Sequence, residues 1–333
     1  MSGIYDHRLR PPQPEAPPAD AFTVHRAVVE PAAVNGSTDL SLAFIQEGTG
    51  GYPLLLLHGY PESKRIWWRN IEPLAVAGYE VIAPDLRGYG ESDMAPDGVY
   101  DIAKYSRDMH ALMTHLGHER FGVVAGDVGG AVAVDLLHRF PDTVEKLVYF
   151  NTVPPVLLEE FVEAGIDLTT IKAMGDGPTT DYQVDQGEHA DALIEELDTP
   201  EKRERWVRGF YTHRLLASPG AFTAEELAFM TEPFRDRDRL RQAWAPYEGR
   251  YGRAQSEPAL MSQFVDVPTL VLYGPDDAVV GPDFIHCCEV AFRNRVGPVA
   301  IPGAGHFLQW ERADIVNGLV EHFFAELRTS SEA

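Results

Sequence analysis

Four consecutive leucines, Leu54, Leu55, Leu56 and Leu57, stop abruptly at His58-Gly59, and the glycines Gly48, Gly50 and Gly51 precede them. A short apolar run bounded by turn residues fits a strand buried on both faces, the kind found in parallel sheets. The pattern recurs. Residues 80–83 read as a strand before Pro84-Asp85, residues 121–125 as another running into Gly126-Asp127-Val128-Gly129-Gly130, and residues 146–150 as a third. Between them lie helix-length segments at 102–116 and 131–139, the second stopped by Phe140-Pro141, and residues 40–46 read as an earlier strand. Strands alternating with helices build βαβ units, which predicts an α/β fold with a mostly parallel sheet flanked by helices.

The rhythm changes after Val153-Pro154-Pro155: residues 154–258 hold helical stretches, such as 190–197 and 200–211, and no convincing strand. It resumes with a strand at 268–273, a helix at 282–292, a strand at 298–301 and a terminal helix at 312–327. A chain of 333 residues suits two domains or one large α/β domain with an insertion. The expected organisation is a proline-rich arm at 1–20, a core at 21–153, a helical insertion at 154–258 and the rest of the core at 259–333.

Charge excludes some partners. Against 28 Lys+Arg stand 51 Asp+Glu, a formal charge of −23, and DNA or RNA binding needs a basic surface that releases counterions. The two cysteines, Cys287 and Cys288, are sequence neighbours, which rarely bridge to each other, and so read as buried small hydrophobes rather than a disulfide or zinc site. Residues 1–20 have no apolar stretch of the kind a signal peptide carries, and no run approaches the roughly 20 apolar residues of a membrane helix. A cytoplasmic protein is expected, with no cofactor, metal, nucleic acid or membrane partner; assembly into a homo-oligomer stays open.

The residues around Asp127 carry the chemistry. A side chain between small neighbours on a tight strand-to-helix turn projects over the carboxyl end of the sheet, with a helix amino terminus behind it. Serine usually occupies such a turn in the pattern G-x-S-x-G; in Ala125-Gly126-Asp127-Val128-Gly129 the aspartate takes its place. Asp127 alone is equally well a helix cap. Its company decides: the strand at 268–273 ends at Gly274-Pro275-Asp276-Asp277, and Gly303-Ala304-Gly305-His306 follows. Nucleophile, acid and histidine thus come in the order one particular fold shows. His110, His115 and His118 lack the i, i+4 spacing of a helical metal pair, and His58 reads as a brace for its turn.

These segments together resemble the α/β-hydrolases, and within them the epoxide hydrolases. His58-Gly59-Tyr60-Pro61-Glu62-Ser63 is similar to their H-G-F-P-E-S loop, and residues 83–92, beginning Ala83-Pro84-Asp85, to their A-P-D-x-R-G-Y-G-x-S segment; Gly305-His306 with Gln309 resembles their histidine loop. The resemblance runs from about Phe22 to Phe324 and implies a helical cap where the insertion lies. It implies Asp277, rather than Asp276, as the acid that orients His306. An aspartate carboxyl, with an ordinary pKa of about 3.9, is ionised without a base. Asp127 would attack carbon directly and leave an alkyl-enzyme ester, which water activated by His306 hydrolyses. Backbone N–H groups of Tyr60 and Val128 would hold the oxyanion. The resemblance further implies two cap tyrosines that protonate the opening ring: Tyr182, in Asp181-Tyr182-Gln183, and Tyr247, beyond Phe234. Tyr211, Tyr251 and His213 compete for those roles. The implied activity is that of a hydrolase acting on ether bonds, converting a small apolar epoxide and water to a vicinal diol.

The chain departs from that family at the nucleophile, where Gly126 and Val128 stand in place of the usual His and Trp. The departure bears on the rival, a haloalkane dehalogenase, which holds its halide between that Trp and a Trp or Asn often found directly after H-G; here those positions are Val128 and Tyr60. Fluoroacetate-type enzymes place arginines just after the nucleophile, where this chain has Gly129-Gly130. A ligand-binding or receptor protein on the same scaffold has no need of Asp127, Asp277 and His306 together. Phe222, Phe229, Met230 and Phe234 are expected to wall an apolar cavity, and the acidic surface disfavours anionic substrates.

Overall fold

The computed structural model describes residues 13–31, 33, 38–171, 181–214, 220–253 and 255–328. Its strands are β1 (Val24–Glu30), β2 (Leu40–Glu47), β3 (Tyr52–Leu57), β4 (Tyr79–Pro84), β5 (Phe121–Gly126), β6 (Val144–Phe150), β7 (Thr269–Tyr273) and β8 (Arg295–Ala300). They form one sheet in the order β1-β2-β4-β3-β5-β6-β7-β8. The β1–β2 and β2–β4 pairs are antiparallel and the others parallel. Every residue of β4, β5 and β7 is buried, which is why these segments are apolar without alternation. The edge strand β1 was not legible in the sequence. It buries only Ala27 fully and exposes Val24 and Val28, so it needs no apolar run.

Helices α1 (Ile102–His115) and α2 (Asp127–Arg139) pack on the sheet through residues such as Met109, Leu112, Val132 and Leu136. Between β6 and β7 the described residues contain helices and turns and no named strand, among them α3 (Asp181–Gly187) and α4 (Ala245–Glu248). This segment, the cap below, includes residues 172–180, which lie outside the described residues. The helix expected over 200–211 ends at Gly209 and continues as a wider π turn, and the terminal helix divides into Ala313–Phe323 and Ala325–Arg328. Both cysteines are fully buried and free. Among the described residues no helix is long and apolar enough to cross a membrane.

The cap is fastened to the core by directed contacts. Arg65 Nη1 donates to Phe229 O (2.6 Å), Tyr89 Oη to Ala243 O (3.0 Å) and Trp310 Nε1 to Ala221 O (3.2 Å), while Arg69 pairs with Glu226 (2.9 Å). Phe222, Phe229, Met230 and Phe234 belong to this joint and not to a substrate cavity, a correction to the sequence expectation. Phe222 stacks on Trp310, Phe229 meets Trp68 edge-on, Phe234 packs between Tyr60 and Tyr89, and Met230 is buried in the same core. Their apolar area is spent on holding the cap down. Residues 1–12 of the arm lie outside the described residues; further on, Trp68 Nε1 donates to Pro18 O (3.2 Å) and Asp314 N to Gln13 Oε1 (3.2 Å).

Candidate active site

The candidate core residues leave the sheet at its carboxyl edge, where open α/β sheets form a crevice. Asp127 follows β5 and opens α2 with φ 45°, in the left-handed region that side chains rarely adopt. Its N–H donates to Asn151 O (3.1 Å) and its carbonyl accepts from Thr152 Oγ1 (2.5 Å), so the chain after β6 clamps the turn on both sides. Two glycines make the room. A Cβ on Gly59 would meet the Asp127 carboxylate, and one on Gly126 would meet the Phe150 ring. The second contact explains why no histidine precedes Asp127.

The two Asp127 oxygens are differently employed. Oδ1 accepts from Tyr60 N–H at 2.7 Å, and Oδ2 lies 3.2 Å from His306 Nε2. His306 Nδ1 lies 2.7 Å from Asp277 Oδ2, and Asp277 Oδ1 accepts from the N–H groups of Val279 (2.7 Å) and Val280 (3.0 Å). The structure therefore brings Asp127, His306 and Asp277 together, and Asp277, not Asp276, meets the histidine. The side chains of His306 and Asp277 are 1% and 0% exposed whereas Asp127 keeps 17%, so only the carboxylate facing the cavity is open to a ligand. Burial works against a charge on His306, but the Asp277 and Asp127 carboxylates outweigh it and hold the imidazole well above its ordinary pKa. Tyr60 N–H already occupies Asp127, while Val128 lies in the first turn of α2, whose N–H groups have no partner within the helix.

A cavity of about 330 Å³ opens above Asp127, walled by Ile102, Val128, Ala131, Val153, Val156, Met261, Val279 and Val280, with Tyr182, Gln183, Tyr247 and Arg250 from the cap. Tyr182 stands on α3 and Tyr247 on α4, their rings edge to face at 5.7 Å. Both phenols are raised above their ordinary pKa, foremost by burial, with the Asp127 charge adding to it. They are neutral donors at neutral pH. The competitors stand elsewhere: Tyr211 donates to Pro61 O (2.7 Å), and Tyr251, 36% exposed, lies against Gly187; neither lines the cavity. The His213 side chain lies outside the described residues.

Three polar residues beside the triad complete the site. Asn151, fully buried and at φ 40°, donates through Nδ2 to Gly305 O (2.7 Å) and His306 O (3.3 Å) and accepts at Oδ1 from Gly274 N (2.9 Å). With its backbone oxygen on Asp127, it knits all three chemistry-bearing loops. The only sequence signal was its place directly after an apolar strand. Glu62, also buried, accepts from Gly59 N (2.7 Å) and Gln309 Nε2 (2.9 Å). Burial and then the neighbouring Asp127 charge push its pKa up to about 7. His58 does brace its turn: Nε2 accepts from Leu86 N (3.0 Å), leaving Nδ1–H to donate to Gly59 O (2.9 Å). Among the described residues no group of three or more His, Cys, Asp or Glu side chains is arranged to hold a metal ion.

Residues 52–313 match the alpha/beta hydrolase fold family, and the chain belongs to that family. A soluble epoxide hydrolase of Corynebacterium sp. (strain C12) is 38% identical over 128 residues, a match that covers 38% of this chain and only 42% of that protein. A haloalkane dehalogenase of Bradyrhizobium diazoefficiens is 28% identical over 302 residues, 86% of this chain and 91% of that one. The solved structure of the epoxide hydrolase CorEH without ligand superposes with a TM-score of 0.75 at 26% identity, covering 92% of this chain and 100% of the other. The chain is an epoxide-hydrolase-like α/β-hydrolase.

Proposed function

We propose that the protein hydrolyses apolar epoxides to vicinal diols through an ester on Asp127. The observation that carries the proposal is the pair of buried neutral phenols, Tyr182 and Tyr247, sharing one apolar cavity with Asp127. A phenol suits the alkoxide that leaves a strained ring, since it can donate a hydrogen bond or a proton to that oxygen. Among the described residues, those lining the cavity include no Trp or Asn, the side chains that would cradle a departing halide.

With Oδ1 held by Tyr60 N–H, Oδ2 is the oxygen that attacks an epoxide carbon. The C–O bond of the ring breaks, and the new alkoxide takes a proton from Tyr182 or Tyr247. Esterification removes the Asp127 charge and with it one of the two carboxylates that raise His306. The imidazole then sheds its proton, which makes good the one the phenols gave, and becomes a base. His306 Nε2 deprotonates water, the hydroxide attacks Cγ of Asp127, and negative charge gathers on Oδ1 against Tyr60 N–H and Val128 N–H. Collapse expels the diol, protonated by His306, and the carboxylic acid left on Asp127 passes its proton to the imidazole, which restores the carboxylate and the imidazolium together. Asp277 holds Nδ1–H throughout, fixing the tautomer.

A panel of terminal, internal and aryl epoxides, followed by diol formation, tests the proposal against a matching haloalkane panel followed by halide release. Diol without halide is the expected outcome. Halide release at a comparable or greater rate would replace the reading with dehalogenation, and no turnover or binding-only behaviour on both panels would refute it.

A further inference from the structure

Tyr60 enters the site twice. Its backbone N–H holds Asp127 Oδ1, while its buried side chain reaches into the cap, where the hydroxyl donates to Gln186 Oε1 (2.7 Å) and accepts from Trp244 Nε1 (3.0 Å). The same Gln186 oxygen accepts from Trp206 Nε1 at 3.2 Å and lies 3.2 Å from Trp244 Nε1. Gln186 is wholly buried and stands one helical turn after Tyr182 on α3, so the two side chains share a helix face. The Tyr60 ring also meets Tyr247 edge-on at 5.6 Å, and the rings of Tyr60 and Tyr182 both pack edge-on against Phe210, at 5.6 and 5.0 Å. The loop motif that this segment resembles has Phe where this chain has Tyr60, so the hydroxyl and its cap network are additions to the motif.

We infer that the Tyr60 hydroxyl and Gln186 are positioning residues for ring opening: they fix the helix that carries Tyr182 against the same residue whose backbone holds the nucleophile. The inference rests on the proposed role of Tyr182 as an acid. Proton donation requires heavy atoms within about 3 Å of each other, and misplacement by about 1 Å costs on the order of 100-fold in rate. A buried acceptor shared by three donors from the core and the cap sets that spacing, because breaking any of its bonds strands a polar group away from water. The ester-hydrolysis step needs His306 and Asp277, neither of which the network touches, and the Tyr60 N–H, which stays in place when the Tyr60 hydroxyl is removed. The network therefore acts on one chemical step and not the other.

Single-turnover mixing with the panel epoxide that the wild type opens fastest separates ester formation from ester hydrolysis. Tyr60→Phe keeps the ring and the backbone N–H, and is expected to slow ester formation about tenfold, the worth of one such bond, while ester hydrolysis stays within about twofold. Gln186→Leu is expected to do the same, and the double variant to be no slower than the slower single variant, the mark of a coupled pair. A merely structural role would lower Tm and scale both steps together. Unchanged ester formation in Tyr60→Phe, equal slowing of both steps, or effects that multiply in the double variant would overturn the inference. A wild type that forms no ester on any epoxide would overturn the functional proposal instead, so the two failures are distinct.

Discussion

Replacing Asn151 by Ala cuts the bracket between the three loops and leaves each loop's own sequence intact. The side chain is fully buried, and the substitution removes its contacts with Gly274 N (2.9 Å), Gly305 O (2.7 Å) and His306 O (3.3 Å). Leaving the Gly274 N–H buried without a partner costs about 1–3 kcal/mol. Holding Ala at φ 40° costs roughly 1–2 kcal/mol more. A loss of roughly 2–5 kcal/mol corresponds, for a chain of 333 residues, to a fall in Tm of roughly 3–7 °C.

The kinetic effect is more selective. Asp127 is clamped by the Asn151 backbone oxygen and by Thr152 Oγ1, both of which survive the substitution, so ester formation stays close to wild type below the melting range. The Asp277 and His306 loops lose their common anchor, and ester hydrolysis is expected to slow by about 100-fold, at the low end of what a general base supplies. The ester accumulates during turnover and is read by intact mass after rapid quenching. Asn151→Asp, which keeps an acceptor for Gly274 but sets a carboxylate against two carbonyl oxygens, should accumulate it as well. An unchanged Tm, or equal slowing of both steps in Asn151→Ala, would refute the reasoning.

Two further outcomes follow from the same geometry. Tyr182→Phe and Tyr247→Phe should each slow ester formation, and together by about 100-fold or more, with ester hydrolysis unaltered; undiminished ring opening in the double variant would assign the acid elsewhere. Glu62 carries a folded pKa of about 7 against an ordinary 4.5, so between those values the folded chain holds a proton that the unfolded chain releases. Stability is accordingly lost as pH rises through that window, by roughly 3 kcal/mol. Glu62→Gln should remove the slope, so that its Tm advantage over wild type grows from pH 5 to pH 8; parallel Tm profiles would contradict this.

What was legible in the sequence was whatever burial imposes locally. The runs that became β3 and β5 are apolar because both faces are covered, and Asp127 was identifiable because a strand, small residues and a helix surround it. β1 was not, since a strand with one buried residue needs no apolar pattern. Asn151, and the contact between Glu62 and Gln309 though both residues stand in recognisable loop motifs, escaped for a different reason: the partners lie 123 residues apart for Asn151 and Gly274 and 247 apart for Glu62 and Gln309, beyond any local spacing rule. Apolar composition pointed to the cap phenylalanines as cavity walls, yet composition does not distinguish a wall from a joint, and the core aromatic residues Trp68 and Trp310 claimed Phe229 and Phe222. The helical stretch between β6 and β7 was visible as a change of rhythm, whereas which of its side chains face Asp127 depended on helix orientation.

The central claim is that the Asp127 carboxylate itself bonds to the substrate and that His306 serves to release it. It is tested most directly by incubating His306→Gln with excess epoxide and measuring intact mass, followed by peptide mapping. The account predicts stoichiometric labelling of Asp127 with a gain equal to the whole mass of the epoxide, because ring opening expels nothing, and epoxide consumption that stops at one equivalent with no diol released. A variant that stays unlabelled, is labelled at another residue, or continues to turn over would contradict it.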